Sequence, residues 1–366
     1  MYVQRLWLRH VRSHTEVELE LSPGVNLFEG PNGVGKTNLV ESIAFIGSLR
    51  SFRGAPTEAL VQAGAAAATI RAEVVEDGRV HLFESELPAR GRVRVQVNRN
   101  RLQRRRDLLE VVQTTVFGPD DLELVKGGPG LRRALLDDAV VQVRPADELV
   151  VGDWERALRQ RNSFLKQAGP AAARRGLDEA GAATLEVWDA KAVELGGAIH
   201  ELRRRMVERL SPFVADTYDR VAGRPSEVRL RLVPGWSGGD LASALVSARP
   251  DDLRRGVSTV GPHRDELLVE LDGLAARTHS SQGEQRCLAL ALRLGVHQFV
   301  TEARDAPPIL ILDDVFSELD GDRSRALVGA LPAGQTFVTS AVGAPDGVRP
   351  DAVFRLDHDG GVVRAE

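Results

Sequence analysis

Cysteine is nearly missing from this 366-residue chain. The one residue, Cys287, lies inside an apolar segment, so an internal disulfide is excluded and a buried thiol in a reducing compartment is expected. Long apolar runs are also missing: "MYVQRLWLRHVRSH" has no uninterrupted hydrophobic core, and nothing approaches the roughly 20 apolar residues of a membrane span. A cytoplasmic protein with no membrane partner is the expectation. Positive charge is not in excess, since the formal net charge is −4, so any nucleic-acid surface must come from local clustering. Aromatic residues make up only 5%, which argues against single-strand binding by base stacking. The sequence contains no His/Cys cluster with metal-ligand spacing, no Ser-His-Asp arrangement and no internal repeat. Its length accommodates two ordinary domains, or one large domain with an insertion.

What is present begins with "EGPNGVGKTN". The pattern G-x-x-x-x-G-K-T runs from Gly30 to Thr37, and its glycines allow a tight loop to aim backbone N–H groups at phosphate oxygens. Lys36 reaches the β- and γ-phosphates, Thr37 ligates Mg²⁺, and the following helix presents its positive end to the anion. Asn32, Gly33, Gly35 and Asn38 complete the expected nucleotide-binding set. The flanks agree, with an apolar strand in "GVNLFEG" before the loop and Leu39, Ile43 and Ile46 at helical spacing after it.

Alternation of apolar and polar residues predicts two or three strands over 3–30, and an antiparallel sheet over 69–97. After about 131 the pattern turns helical, and strand character returns near 256. The expected organisation is a discontinuous head, 1–130 plus 256–366, with a helical insertion over 131–255. Within the insertion Leu185, Trp188, Ala192, Leu195, Ile199, Leu202, Met206 and Leu210 form a heptad seam about 39 Å long. Val151, Trp154, Leu158 and Leu165 match it upstream, so the spacing predicts a short antiparallel helical hairpin, either as an arm or as part of an ordinary bundle.

Further on, "PPILILDDVFSELD" reads as a buried parallel strand ending in carboxylates. Asp313 is placed to hold Mg²⁺ and Asp314 to polarise the attacking water as base. Between the loop and this strand stands "HSSQGEQRCLALALRLG", where Ser281 and Glu284 make a capping box at the start of a helix.

The order of phosphate loop, serine-glycine turn, acidic strand end and "SELD" resembles the ABC-type ATPases. The helical block between Lys36 and Ser281 favours their SMC-like branch. The stretches "EGPNGVGKTNLVESIAFIGSLRSFRG", "TTVFGPDDLELVKGGPGLRRALLDD", "VGPHRDELLVELDG", "SSQGEQRCLALALRLG" and "ILILDDVFSELD" are similar to the RecF family of DNA-repair ATPases over essentially the full chain. That resemblance implies an α/β ATPase head with a mixed sheet and an inserted helical subdomain. It implies an ATP-dependent homodimer in which Ser281 and Gly283 of one copy close over the nucleotide held by Lys36 and Thr37 of another. It implies slow ATP hydrolysis, recognition of gapped DNA or single-strand/duplex junctions, and cooperation with RecO and RecR in loading RecA. Three positions depart from the patterns: Asp314 stands where transporter ATPases carry Glu, Ser340 aligns with their switch histidine, and Glu284 replaces the family's glutamine. A phosphate-loop ATPase or kinase that does not act on DNA is the alternative.

For DNA, residues 90–106, "RGRVRVQVNRNRLQRRR", carry eight arginines and no acid. On a strand Val93, Val95 and Val97 would face the core, while Arg92 and Arg94 face out and "NRNR" turns. Arg92, Arg94, Arg99, Arg101, Arg104 and Arg105 are therefore the candidate phosphate contacts, without sequence reading. Arg132, Arg133 and "RRR" at 203–205 read as solvated helix faces. His263 and Arg264 read equally as turn-stabilising residues or as ligand contacts.

Overall fold

The computed structural model describes residues 1–358 and 360–365, leaving the side chains at 170, 171, 173 and 318 undescribed, so the side chain of Glu318 in "SELD" lies outside the description. The chain forms two compact units. The first comprises Met1–Leu122, Phe213–Ser226 and the residues from Ser281 onward; the second comprises Glu123–Pro212 and Glu227–Ser280.

The first unit opens with β1 (Tyr2–Val11) and β2 (His14–Glu20), followed by β3 (Val25–Glu29), the phosphate loop and α1 (Lys36–Ser48). Next come β4 (Ala67–Glu76), β5 (Arg79–Pro88), β6 (Arg94–Val97), β7 (Asn100–Arg101), α2 (Arg105–Leu109) and β8 (Thr114–Phe117). One sheet has the order β2-β1-β4-β5-β6-β7, with every pairing antiparallel, as the alternation over 69–97 leads one to expect.

The second unit begins with α3 (Glu123–Lys126), α4 (Pro129–Val143), α5 (Glu148–Arg175) and the long α6 (Glu179–Ala222). Gly169, at φ 69, interrupts α5 near its end. Pro212 inside α6 marks the point where its residues pass to the first unit, and Pro removes an N–H from the helical ladder there. A three-stranded sheet, β11-β10-β9, is made by β9 (Val228–Val233), β10 (Glu266–Leu271) and β11 (Leu274–Ala275), with α7 (Leu241–Arg255) before β10 and α8 (Ala276–His279) after β11. This division departs from a single insertion over 131–255. Phe213–Ser226 return to the first unit, where Phe213 stacks edge-on with Phe299, and the strand pair of β9 and β10 keeps residues beyond 256 in the second.

The hairpin of α5 and α6 forms. Trp154 packs against Gly196, Arg161 pairs with Asp189 and Leu165 clusters with Leu185, so positions advance along one helix as they retreat along the other. It is not a free arm: α7 joins it through Leu241, Leu245 and Leu253, making the ordinary three-helix bundle that the seam alone left open.

The chain returns to the first unit with α9 (Gln282–Arg304), β12 (Ile309–Leu312), α10 (Gly321–Ala330), β13 (Thr336–Ser340), β14 (Ala352–Leu356) and β15 (Val362–Arg364). Its second sheet has the order β15-β14-β3-β13-β12-β8, parallel except for the β14/β15 pair. β12 is buried along its whole length, which is why it reads as a continuous apolar run. α1 touches strands of both sheets and is buried nearly all round, so its apolar residues do not keep to one stripe. Phe28, Phe337 and Phe354 pack across β3, β13 and β14, fixing the strand from which the phosphate loop springs.

Candidate nucleotide site and basic face

The loop leaves β3 at Gly30 and enters α1 at Gly35. Both glycines are required by space as well as by conformation: at Gly30 (φ 155) a Cβ would lie 2.5 Å from the Leu356 carbonyl, and at Gly35 (φ 105) 2.6 Å from Ser13 Oγ. Gly35 caps α1 without a side-chain acceptor, which leaves the first-turn amides pointing at the loop as donors for an anion. Pro31, Asn32 and Gly33 form the exposed crest. Lys36 Nζ donates to the Gly30 and Pro31 carbonyls at 2.5 and 2.9 Å. Burial lowers its pKa, while the nearby charges of Asp314 and Asp313 act against that shift.

Asp313 and Asp314 follow β12 directly. Thr37 Oγ1 donates to Asp313 Oδ1 at 3.1 Å, joining the first residue after Lys36 to the acidic strand end. Burial raises the Asp313 pKa; hydrogen bonds from Thr339 and Thr37 oppose this by favouring the carboxylate. Among the described residues no group of three His, Cys, Asp or Glu side chains gathers to hold a metal. One hydroxyl and one carboxylate in contact nevertheless fit Mg²⁺, which takes few protein ligands and completes its shell with phosphate oxygens and water. Asp314 lines a small cleft with Phe117, Gly118, Arg286 and Leu290. Ser340 ends β13 beside the loop, where its carbonyl accepts from Gly30 N at 3.3 Å and its hydroxyl accepts from Val342 N at 3.2 Å.

Ser281 and Gly283 belong to a second centre at the start of α9. Ser281 is in a full capping box, with its Oγ accepting from Glu284 N and its N donating to Glu284 Oε2 at 2.8 Å. Arg224 donates to the other Glu284 oxygen at 2.7 Å, so this carboxylate is engaged in capping and an ion pair. The guanidinium of Arg323 lies against Gly283, where a Cβ would come within 2.8 Å of it.

Four residues around the loop carried no obvious sequence signal. Arg53 Nη1 donates to Asn38 Oδ1 at 3.5 Å, and Asn38 Nδ2 donates to Ser13 Oγ at 3.0 Å. Arg12 holds the buried Glu41 carboxylate with two 2.9 Å bonds, and the buried His14 ring contacts the Gly35 carbonyl at 3.1 Å. Arg12, Ser13 and His14 come from the turn between β1 and β2 and Arg53 from beyond the end of α1, so the spacing of the loop motif could not gather them.

On the antiparallel sheet, Val93, Val95 and Val97 pack on the core, while Arg92, Arg94, Arg99, Arg101 and Arg104 are exposed. The turn falls at Asn98 and Arg99, both with positive φ, which is the two-residue geometry that matches strand twist. Arg94 pairs with Glu86 at 3.3 Å. Arg105 is partly buried and donates to the Ser48 carbonyl at 3.2 Å.

In the second unit, several basic residues expected on solvated faces are internal. Arg132 is buried, paired with Glu266 and bonded to the Leu124 and Gly127 carbonyls, and Arg133 donates to the Asp265 carbonyl. Arg203 is buried between Asp137 and Asp265; only Arg204 and Arg205 of that run are exposed, both paired with Glu201. His263 and Arg264 both donate toward the Ser258 carbonyl, at 3.0 and 3.3 Å, which is a turn-stabilising arrangement.

Loop and paired carboxylates at the ends of parallel strands β3 and β12, with β13 between them and a capped serine-glycine turn elsewhere in the same unit, define the head of an ABC/SMC-type phosphate-loop ATPase. A family model described as the RecF/RecN/SMC N terminal domain matches residues 2–342. The chain is 41% identical over 363 residues to a DNA replication and repair protein RecF of Acidothermus cellulolyticus, covering 94% of this chain and 95% of that one. The corresponding protein of Streptomyces avermitilis is 40% identical over 352 residues, with 93% and 94% covered. The chain therefore belongs to the RecF family of DNA replication and repair proteins. A solved structure of the recombination mediator protein RecF with ATP, from the RecFOR pathway, has a TM-score of 0.89 at 28% identity, covering 100% of this chain and 98% of that one. An Smc head bound to the C-winged helix domain of ScpA shares the fold, with a TM-score of 0.60 at 18% identity, 100% of this chain and 98% of that one covered. No described helix is long and apolar enough to cross a membrane.

Proposed function

We propose that this chain is an ATP-dependent DNA-binding repair ATPase that dimerises around ATP, engages gapped duplex or single-strand/duplex junctions, and acts with RecO and RecR to load RecA. The observation that carries this reading is the contact between Thr37 and Asp313, which joins phosphate loop and acidic strand end into one centre beside Lys36 and Asp314. The amides of the loop and of the first turn of α1 bind the phosphates, and Lys36 turns from the Gly30 and Pro31 carbonyls onto the β- and γ-phosphates. Thr37 and Asp313 would hold Mg²⁺, which would supply charge neutralisation at the phosphates. Asp314 accepts the proton of the attacking water as ADP leaves. Aspartate is one methylene shorter than the glutamate of transporter ATPases, so turnover is slow and suits a timed clamp.

Ser281 and Gly283 complete the site of a second copy, and the exposed arginines of 90–106 neutralise DNA phosphates without reading bases. The test compares ATP turnover of the wild type and Lys36→Met with and without a gapped duplex. The reading expects slow wild-type turnover raised by DNA and a loss of about 10²-fold in the variant. Turnover indifferent to both DNA and Lys36 would overturn it.

A further inference from the structure

Thr339 occupies the strand between the loop and the acids. It pairs with Phe28 on β3, is 1% exposed, and precedes Ser340, whose carbonyl holds the first amide of the loop. Its hydroxyl makes two 2.8 Å bonds, to Asp313 Oδ1 and to the Asp314 amide. Chemistry sets their direction: an amide N–H only donates and an ionised carboxylate only accepts, so Thr339 Oγ1 accepts from Asp314 and donates to Asp313.

Asp314 has φ 53, the left-handed region that side chains disfavour. Both ends of its peptide framework are held by hydroxyls, the N–H by Thr339 and the C=O by Ser317 at 2.9 Å. One buried hydroxyl thus couples the carboxylate expected at the metal to the backbone of the residue expected to act as base.

We propose that Thr339 is a positioning residue for ATP hydrolysis: its hydroxyl locks Asp313 and Asp314 together, so that the metal-side carboxylate and the base are presented to one nucleotide in fixed relation. The proposal rests on the reading of this site as an ATPase centre. Thr339 acts through the two aspartates.

The test compares Thr339→Val, which keeps the shape and removes both bonds, with Thr339→Ser, which keeps the hydroxyl. Three quantities are read: ATP turnover, the Mg²⁺ concentration that half-saturates it, and affinity for a fluorescent ATP analogue with and without Mg²⁺. Thr339→Val is expected to lose about tenfold or more in turnover and to need several-fold more Mg²⁺, while metal-free nucleotide affinity stays within about twofold. Thr339→Ser is expected to recover most of both. Wild-type turnover and Mg²⁺ dependence in Thr339→Val would overturn the proposal, as would equal losses in both variants with a lowered melting temperature, the mark of a packing role. Should the wild type bind ATP yet turn none over, the ATPase reading fails separately, and the Mg²⁺ dependence of analogue binding still decides the role of Thr339.

Discussion

Half-buried Asp314 and fully buried His297 show two ways in which single side chains govern behaviour. Asp314→Asn removes the charge proposed to accept the proton of the attacking water and leaves the phosphate loop intact, so it should keep ATP affinity within a few-fold and slow turnover by about 10²-fold or more. Equilibrium binding and single-turnover hydrolysis on the same sample check this. His297 is buried in α9 with neither ring nitrogen hydrogen-bonded among the described residues, and burial pushes its pKa down to about 4. The unfolded imidazole keeps its ordinary value of 6.5. Between those values the unfolded chain takes up a proton that the folded chain refuses. Stability from this residue is therefore complete above pH 6.5 and is lost as pH falls toward 4, at up to about 1.4 kcal/mol per pH unit. Denaturant titrations over that range should show a shallower pH slope in His297→Leu. The buried His14 and the half-buried His263, lowered in the same direction, leave a residual slope.

At the scale of elements, the bundle of α5, α6 and α7 turns on one buried cation. Arg161 is 1% exposed and bonds Asp189 on α6 at 2.9 Å, Asp252 on α7 at 2.7 Å and Ser258 at 2.7 Å. Arg161→Ala takes the cation from Asp252, which among the described residues keeps only its bonds from Thr259, and leaves Asp189 with Arg249 alone; it should cost about 3–5 kcal/mol, whereas a combined change to apolar residues at 161, 189 and 252 should recover most of the loss. Midpoints of urea unfolding would measure both. This network also shows where sequence reasoning ends. The hairpin was legible because leucine, tryptophan and isoleucine recur at spacings a helix alone explains. The strand, loop and helix around Gly30–Thr37 were legible because glycine, lysine and threonine at that spacing have one chemistry. Buried arginines were not: Arg132 and Arg203 sit in basic runs that resemble solvated faces, and their partners Glu266, Asp137 and Asp265 lie far away in sequence. Thr339 escaped for the same reason, since a threonine in "TFVTS" reads as a strand former until the neighbouring strand is in register.

For the whole molecule, of net charge −4, the proposed DNA contact falls to the exposed arginines in and around β6 and β7. Changing Arg92, Arg99, Arg101 and Arg104 to Glu should weaken gapped-duplex binding at every sequence tested and flatten the dependence of log affinity on log salt, by roughly 0.9 per lost contact on B-form duplex. ATP turnover without DNA should be unchanged, and a loss of basal turnover would place this face nearer the nucleotide than the account allows. The phosphate loop is proposed to be half of a site completed by another copy. Lys36→Met and Ser281→Arg each disable a different half, so the decisive measurement is ATP turnover and solution mass when the two variants, inactive alone, are mixed with ATP and Mg²⁺. Mixed dimers contain one site built from the intact loop of one copy and the intact serine-glycine turn of the other, and turnover should reappear together with dimer mass. A mixture as inactive and monomeric as its components, beside a wild type that hydrolyses ATP as a monomer, would contradict the composite site.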